Sequence, residues 1–151
     1  MQDGGCTIER IDSDQLESVR SLANVRLRED YSKELFSHFF ENFRGCFLVA
    51  LEKDEVVGFL LAVPRDETAL RILMLAVDEN HLGKGIAKKL MKTAEGYASS
   101  RKMGSLVLEV GTDNTQAVGF YNRIGFRVVG ILQEYYKDRT DAFIMKKILP
   151  V

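Results

Sequence analysis

The chain is short of the residues that build covalent or metal frameworks. Its 151 residues include 2 cysteines, Cys6 and Cys46, and 2 histidines, His38 and His81. Two cysteines do not make a disulfide scaffold, so a reducing cytoplasm is the expected setting. With no Cys–His cluster, neither a structural nor a catalytic zinc site is expected, and both histidines read as ordinary helix and loop residues. An excess of one charge is lacking too. A net charge of −1 gives no electrostatic reason to expect nucleic acid or an anionic membrane as partner. The longest apolar runs fall far short of a membrane span, and the N-terminus carries no basic-then-apolar signal pattern. There is no internal repeat, linker or low-complexity segment.

What is present is an ordinary one-domain composition, 46% hydrophobic and 28% charged, over residues 1–151. One stretch organises it. Ile72-Leu73-Met74-Leu75-Ala76-Val77 has the length and composition of a buried strand. A polar bend, Asp78 to His81, leads to Gly83 and Gly85. From Ile86 the pattern turns helical, with Ile86, Leu90, Met91, Ala94, Tyr97 and Ala98 on one face. A strand, a glycine-bearing turn and a helix N-terminus point orphan backbone N–H groups and the positive end of a helix dipole at one spot, which suits phosphates. The spacing fits neither the Walker pattern nor the dinucleotide fingerprint, which needs Gly or Ala where Lys88 stands.

Taken in order, Thr7 to Ile11 alternates as a first strand. A helix follows, capped by Asp12, Ser13 or Asp14, with Leu16, Val19, Leu22 and Ala23 as its apolar face. After a break near Arg26 to Asp30, a second helix is expected to carry Leu35, Phe36, Phe39, Phe40 and Phe43 into the core and to end at Gly45. Cys46–Leu51 and Val56–Val63 form a hairpin, and the strand ending at Val77 completes an antiparallel meander. The helix from about Gly85 is expected to stop near Lys102 to Gly104, with Gly104 as its terminator. Ser105–Val110 is apolar enough to be buried on both faces. Following a crossover helix, it should run parallel to the strand ending at Val77, leaving a crevice at the C-terminal ends of the pair. A short helix opens at Asn114 or Thr115 and carries Ala117, Val118, Phe120 and Tyr121. Two last strands, Phe126–Leu132 and Ala142–Met145, flank a polar segment from Tyr136 to Asp141. The expected fold is α/β, a mixed, mostly antiparallel sheet of about seven strands with about four helices.

Four segments then add up to a family likeness. Leu82-Gly83-Lys84-Gly85-Ile86-Ala87 resembles the phosphate loop [QR]-x-x-G-x-[GA] of the GNAT superfamily of N-acetyltransferases, with Leu82 in place of Gln or Arg. Leu108 to Phe126, L-E-V-G-T-D-N-T-Q-A-V-G-F-Y-N-R-I-G-F, resembles the L-E-V-x-x-x-N-x-x-A-x-x-[LF]-Y-x-x-x-G-F of the Nα-acetyltransferases of the ribosomal-protein-alanine type. Tyr135-Tyr136 with Asp141-Ala142 and Met145 resembles their Y-Y…D-A-x-x-M. Leu27-Arg28-Glu29-Asp30-Tyr31 is similar to their L-P-x-x-Y, with Arg28 in place of Pro.

The resemblance implies a single domain whose parallel strand pair splays around acetyl-CoA, with no metal. It implies that Leu82, Gly83, Lys84, Gly85, Ile86, Ala87 and Lys88 bind the donor with the backbone of Leu75, Ala76 and Val77, with Asn114 and with Tyr121. Glu109 is implied as base through water and Tyr121 as general acid. Leu27, Glu29, Tyr31, Tyr135 and Tyr136 are implied to frame an acceptor, the N-terminus of a protein or peptide such as a ribosomal protein. From the residues alone, Glu109 could equally be a carboxylate paired to Arg or Lys, and Tyr121 a packing tyrosine. A small amine as acceptor (polyamine, amino acid or antibiotic) and a non-catalytic CoA-binding module remain alternatives. Oligomeric state is not legible.

Overall fold

The computed structural model describes residues 5–150; residues 1–4 of the glycine-containing leader and residue 151 lie outside it. Seven strands form one sheet in the order β1-β2-β3-β4-β5-β7-β6. They are β1 (Cys6–Arg10), β2 (Cys46–Glu52), β3 (Glu55–Pro64), β4 (Ala69–Val77), β5 (Ser105–Gly111), β6 (Arg127–Leu132) and β7 (Ala142–Ile148). Four helices complete it: α1 (Leu16–Arg26), α2 (Lys33–Asn42), α3 (Ile86–Ser100) and α4 (Thr115–Arg123). The expected mixed α/β class holds. Contacts divide the described residues into two compact units, one within residues 5–63 and 74–96 and the other within residues 64–73 and 97–150. Among the described residues, no helix is long and apolar enough to cross a membrane.

In the first unit, β1 and β2 pair antiparallel from Cys6↔Glu52 to Arg10↔Leu48. β2 and β3 form a hairpin whose two turn residues, Lys53 and Asp54, both have positive φ (50° and 67°), the twist-matched form for a two-residue loop. Asp12 starts the first helical turn, its N–H donating to the Gln15 side chain at 2.8 Å, and Ser32 caps α2 by accepting from the Leu35 N–H at 3.1 Å. Phe36, Phe47 and Phe59, each no more than 1% exposed, pack with ring centroids 6.3–6.5 Å apart. The row of phenylalanines on α2 does not bury as a row. Phe36 alone of the four is buried. The helix ends at Asn42, before Gly45, so Phe43 leaves the helical face and is 37% exposed. Phe39 meets Phe43 at a tilt of 56°, and Phe40 lies under the Arg44 guanidinium.

In the second unit, β4 and β5 pair parallel from Ala69↔Ser105 to Ile72↔Leu108. β7 pairs antiparallel with both β5 and β6. β5 is buried at every position except Glu109. The terminator of α3 is Lys102 rather than Gly104. Lys102 takes the left-handed conformation (φ 60°), and Met103 N–H reaches back to Ala98 C=O at 2.9 Å, which closes the last turn. Gly104 has already left the helix, donating to Thr68 C=O at 2.9 Å. At the end of α4, Gly125 (φ 107°) performs the same turn, with Phe126 N–H on Tyr121 C=O.

Gly58 in β3 sets how closely α3 can approach. A Cβ there would lie 3.1 Å from Ile86 Cγ2 and 3.2 Å from the backbone oxygen of Ala76, and that oxygen has no rotamer through which to yield. Gly58→Val is therefore expected to destabilise the protein by about 1–3 kcal/mol through overpacking. The check is a lower denaturant midpoint at unchanged slope.

Candidate active site

In the first unit, the end of β4 leads directly into the glycine loop. Ala76 and Val77 are buried, and Val77 C=O accepts from Arg26 Nε at 3.1 Å. The bend after them is one short helical turn, Glu79–His81. Asp78 caps it, its Oδ2 accepting from Asn80 N–H at 3.2 Å and lying 2.8 Å from His81 Nδ1. The His81 hydrogen bond, helped by the Asn80 N–H, holds the Asp78 carboxyl below its ordinary value. His81 Nε2 also lies 3.3 Å from Glu52 Oε1, so a histidine given no role from the sequence ties the loop to β2.

Beyond His81 the chain is exposed. Leu82 is 51% exposed, and Gly83 and Gly85 have φ of 77° and 78° with nothing within 4 Å of where a Cβ would stand. Lys89 N–H on Gly85 C=O is the first hydrogen bond of α3. The amides of Ile86, Ala87 and Lys88 therefore precede the helical ladder. Open space over two glycines, orphan amides and the positive end of a fifteen-residue helix fit a diphosphate, with exposed Lys84 and Lys88 on its flanks.

The connection between α1 and α2 also belongs to the first unit and holds Leu27, Glu29 and Tyr31. Tyr31 is strapped by its backbone: its N–H donates to Asn24 Oδ1 at 2.8 Å, and its C=O accepts from Arg20 Nε at 3.2 Å. Its ring meets Phe36 edge-on at 6.0 Å. Neither Asn24 nor Arg20 carries a signal in the sequence, because their partners are backbone atoms.

In the second unit, Glu109 is paired. Arg71 donates to its Oε1 from Nε at 3.0 Å and from Nη2 at 2.7 Å, and the Glu109 side chain is 16% exposed. The same Nη2 donates to the Tyr135 hydroxyl at 3.1 Å. Burial alone would lower the guanidinium's proton affinity; the hydrogen bonds and charge of Glu109, with Tyr135, outweigh it and raise the Arg71 pKa. Sequence reasoning missed Arg71. The available signal was a single cation inside the apolar strand A-L-R-I-L-M-L-A-V.

Tyr135 and Tyr136 meet edge-on at 5.0 Å. Asn114 caps α4, its Oδ1 accepting from Ala117 N–H at 3.2 Å. Tyr121 is half-buried between Phe120 and Phe126, with ring centroids 5.4 and 5.5 Å away. Burial, with a smaller contribution from Tyr136, pushes its phenol well above the ordinary tyrosine value. Within this unit Arg71 thus joins Glu109 to Tyr135, and Tyr136 influences Tyr121.

The acetyltransferase (GNAT) family model matches residues 15–126. An uncharacterized N-acetyltransferase of Methanocaldococcus jannaschii is 33% identical over 144 residues, covering 95% of this chain and 92% of that protein. N-alpha-acetyltransferase 30 of Schizosaccharomyces pombe is 35% identical over 133 residues, 85% of this chain and 88% of that one. The crystal structure of Ard1 from Thermoplasma volcanium matches with a TM-score of 0.94 and 32% identity, over 97% of this chain and 99% of its own.

A raised phenol has a direct signature. In an ultraviolet pH titration of the 5 tyrosines, Tyr121 is expected to ionise last, and Tyr121→Phe to remove that late step alone. A late step that survives in Tyr121→Phe would place the effect elsewhere.

Proposed function

This chain belongs to the acetyltransferase (GNAT) family and is an acyltransferase, and from that premise we propose that it transfers acetyl from acetyl-CoA to the α-amino group of a protein or peptide N-terminus. The observation that carries the acceptor is the likeness, along most of the chain, to a protein named an N-alpha-acetyltransferase.

Acetyl-CoA supplies the acyl group already activated as a thioester. The backbone amides of residues 82–88 hold its diphosphate, without help from a side chain at Leu82. Backbone groups of Leu75, Ala76 and Val77 hydrogen-bond the pantetheine arm and polarise the acetyl carbonyl. Asn114 contacts CoA through its amide nitrogen, since its oxygen caps α4. Leu27, Glu29, Tyr31, Tyr135 and Tyr136 frame the acceptor.

Glu109 takes the amine's proton through water. Both Arg71 hydrogen bonds fall on Oε1, so Oε2 is the atom that receives the water. An amine already largely neutral asks least of a carboxylate committed in this way. With reference values of ~8 for an α-amine and ~10.4 for lysine, neutralising a lysine costs about 3 kcal/mol more. An N-terminus therefore suits this site better than a lysine side chain. Tyr121 gives a proton to the departing thiolate. Because burial raises its pKa, the phenol keeps that proton throughout the range in which an α-amine becomes neutral. The rate should accordingly rise as the acceptor deprotonates and show no fall from Tyr121 up to about pH 10. A chain with 2 cysteines suits a reducing cytoplasm as the place of action.

The test is release of CoA from acetyl-CoA with short peptides, N-terminally free or blocked, beside spermidine and free amino acids; a ribosomal-protein N-terminal peptide belongs in the panel. Free peptides should turn over and blocked ones should not. Glu109→Gln and Tyr121→Phe should each lower kcat by about 10²–10⁴-fold. Turnover of small amines alone would replace the peptide acceptor with a small amine.

A further inference from the structure

The roles above employ Glu109 and Tyr135 and leave Arg71 idle, although Arg71 touches both. We propose that Arg71 is a positioning residue, fixing the Glu109 carboxylate so that Oε2 faces the reaction and anchoring Tyr135 so that the acceptor-framing segment is held in register with the base. The inference deepens the acyl-transfer reading and rests on it.

Geometry carries it. Arg71 sits in β4 opposite Val107 of β5, so it shares a face with Glu109 two residues further along that strand. Nε and Nη2, on one edge of a planar fork, converge on Oε1 at 3.0 and 2.7 Å, which fixes the rotation of the carboxylate and leaves Oε2 without a hydrogen bond among the described residues. The second hydrogen of Nη2 serves Tyr135 at 3.1 Å. The two side chains of the ion pair are 35% and 16% exposed, so the pair is shielded from water more than a surface pair is. A lysine carries one flexible point charge and cannot hold two partners in this fixed geometry. Movement of Tyr135 on acceptor binding is thereby felt at Glu109 through one rigid group.

The experiment compares the full chain with Arg71→Ala, Arg71→Lys, Tyr135→Phe and the Arg71→Ala/Tyr135→Phe pair, using acetyl-CoA and a peptide acceptor. Arg71→Ala should lower kcat by about 10- to 100-fold and raise the acceptor KM. Added guanidinium should restore part of that kcat, which a merely structural loss would not allow. Arg71→Lys should recover less than guanidinium does. Tyr135→Phe, at an exposed site, should raise KM while leaving kcat within about twofold, and the double variant should match the KM of Arg71→Ala because the tie is lost only once.

Arg71→Ala with the wild-type kcat and KM overturns the proposal, as does a loss that guanidinium does not restore. An unchanged KM in Tyr135→Phe removes the anchoring half. A wild-type chain silent on every peptide sinks the acceptor reading instead. The same variants are then compared on whichever small amine turns over, where the kcat loss and its rescue are expected as before.

Discussion

A carboxylate in the middle of a buried strand has to be paired, and much of the second unit follows from that. β5 is buried at six of its seven positions, and the exception is Glu109 itself. Leaving an ion there without a partner costs several kcal/mol even after relaxation. The partner must come from a neighbouring strand on the same face, and the parallel register Ile72↔Leu108 allows β4 to supply it from Arg71. A parallel neighbour needs a crossover, which here is α3. The ion pair therefore lies on the two strands that α3 connects in sequence. Neither β7 nor β6 offers a cation at the Glu109 register, where the paired residues are Ile144 and, beyond it, Gly130.

The loop depends on a different constraint. What it needs is a backbone conformation, and that conformation is fixed at both ends. On one side, Asp78 and His81 fold the bend into a fixed turn tied to Glu52. On the other, Gly58 lets Ile86 and Leu90 settle closely against β3, which fixes the first turn of α3. Between these anchors Gly83 and Gly85 take positive φ over open space, where a side chain would be strained and would stand over the amides.

Much of this was legible in the sequence, for identifiable reasons. Period-2 and period-3.6 apolar patterns located the strands and helices, because burial is what those periods report. The positive-φ turn at Gly83 and Gly85 was legible because glycine spacing reports backbone conformation, whereas a phosphate role came only with the family likeness. Where the reading failed, the deciding feature was a helix end or a partner far along the chain. Phe39, Phe40 and Phe43 look like a core face by composition, but Phe39 and Phe40 are only half-buried, and Phe43 lies past the helix end at Asn42. Gly104 looked like the helix stop, yet Lys102 accepts the left-handed turn two residues earlier. The partner of Glu109 stands 38 residues away along the chain, and no local pattern joins it to Arg71. The Asn24 and Arg20 straps on Tyr31 were hidden because they recognise backbone, which every residue has.

Departures from the family pattern weigh differently according to what does the work at each position. Leu82 stands where Gln or Arg is usual, but the amides of residues 82–88 do not depend on the side chain there. A half-exposed leucine beside an intact glycine turn removes one contact and leaves the site's geometry in place. Arg71 is the opposite case. Its contribution is carried by side-chain nitrogens in a fixed plane, two of whose contacts fall on one carboxylate oxygen and a third on a tyrosine hydroxyl. No backbone group substitutes for that arrangement, and a lysine would supply the charge without the fork. A loop written in backbone tolerates side-chain drift, whereas a carboxylate oriented by a guanidinium depends on one residue of the neighbouring strand.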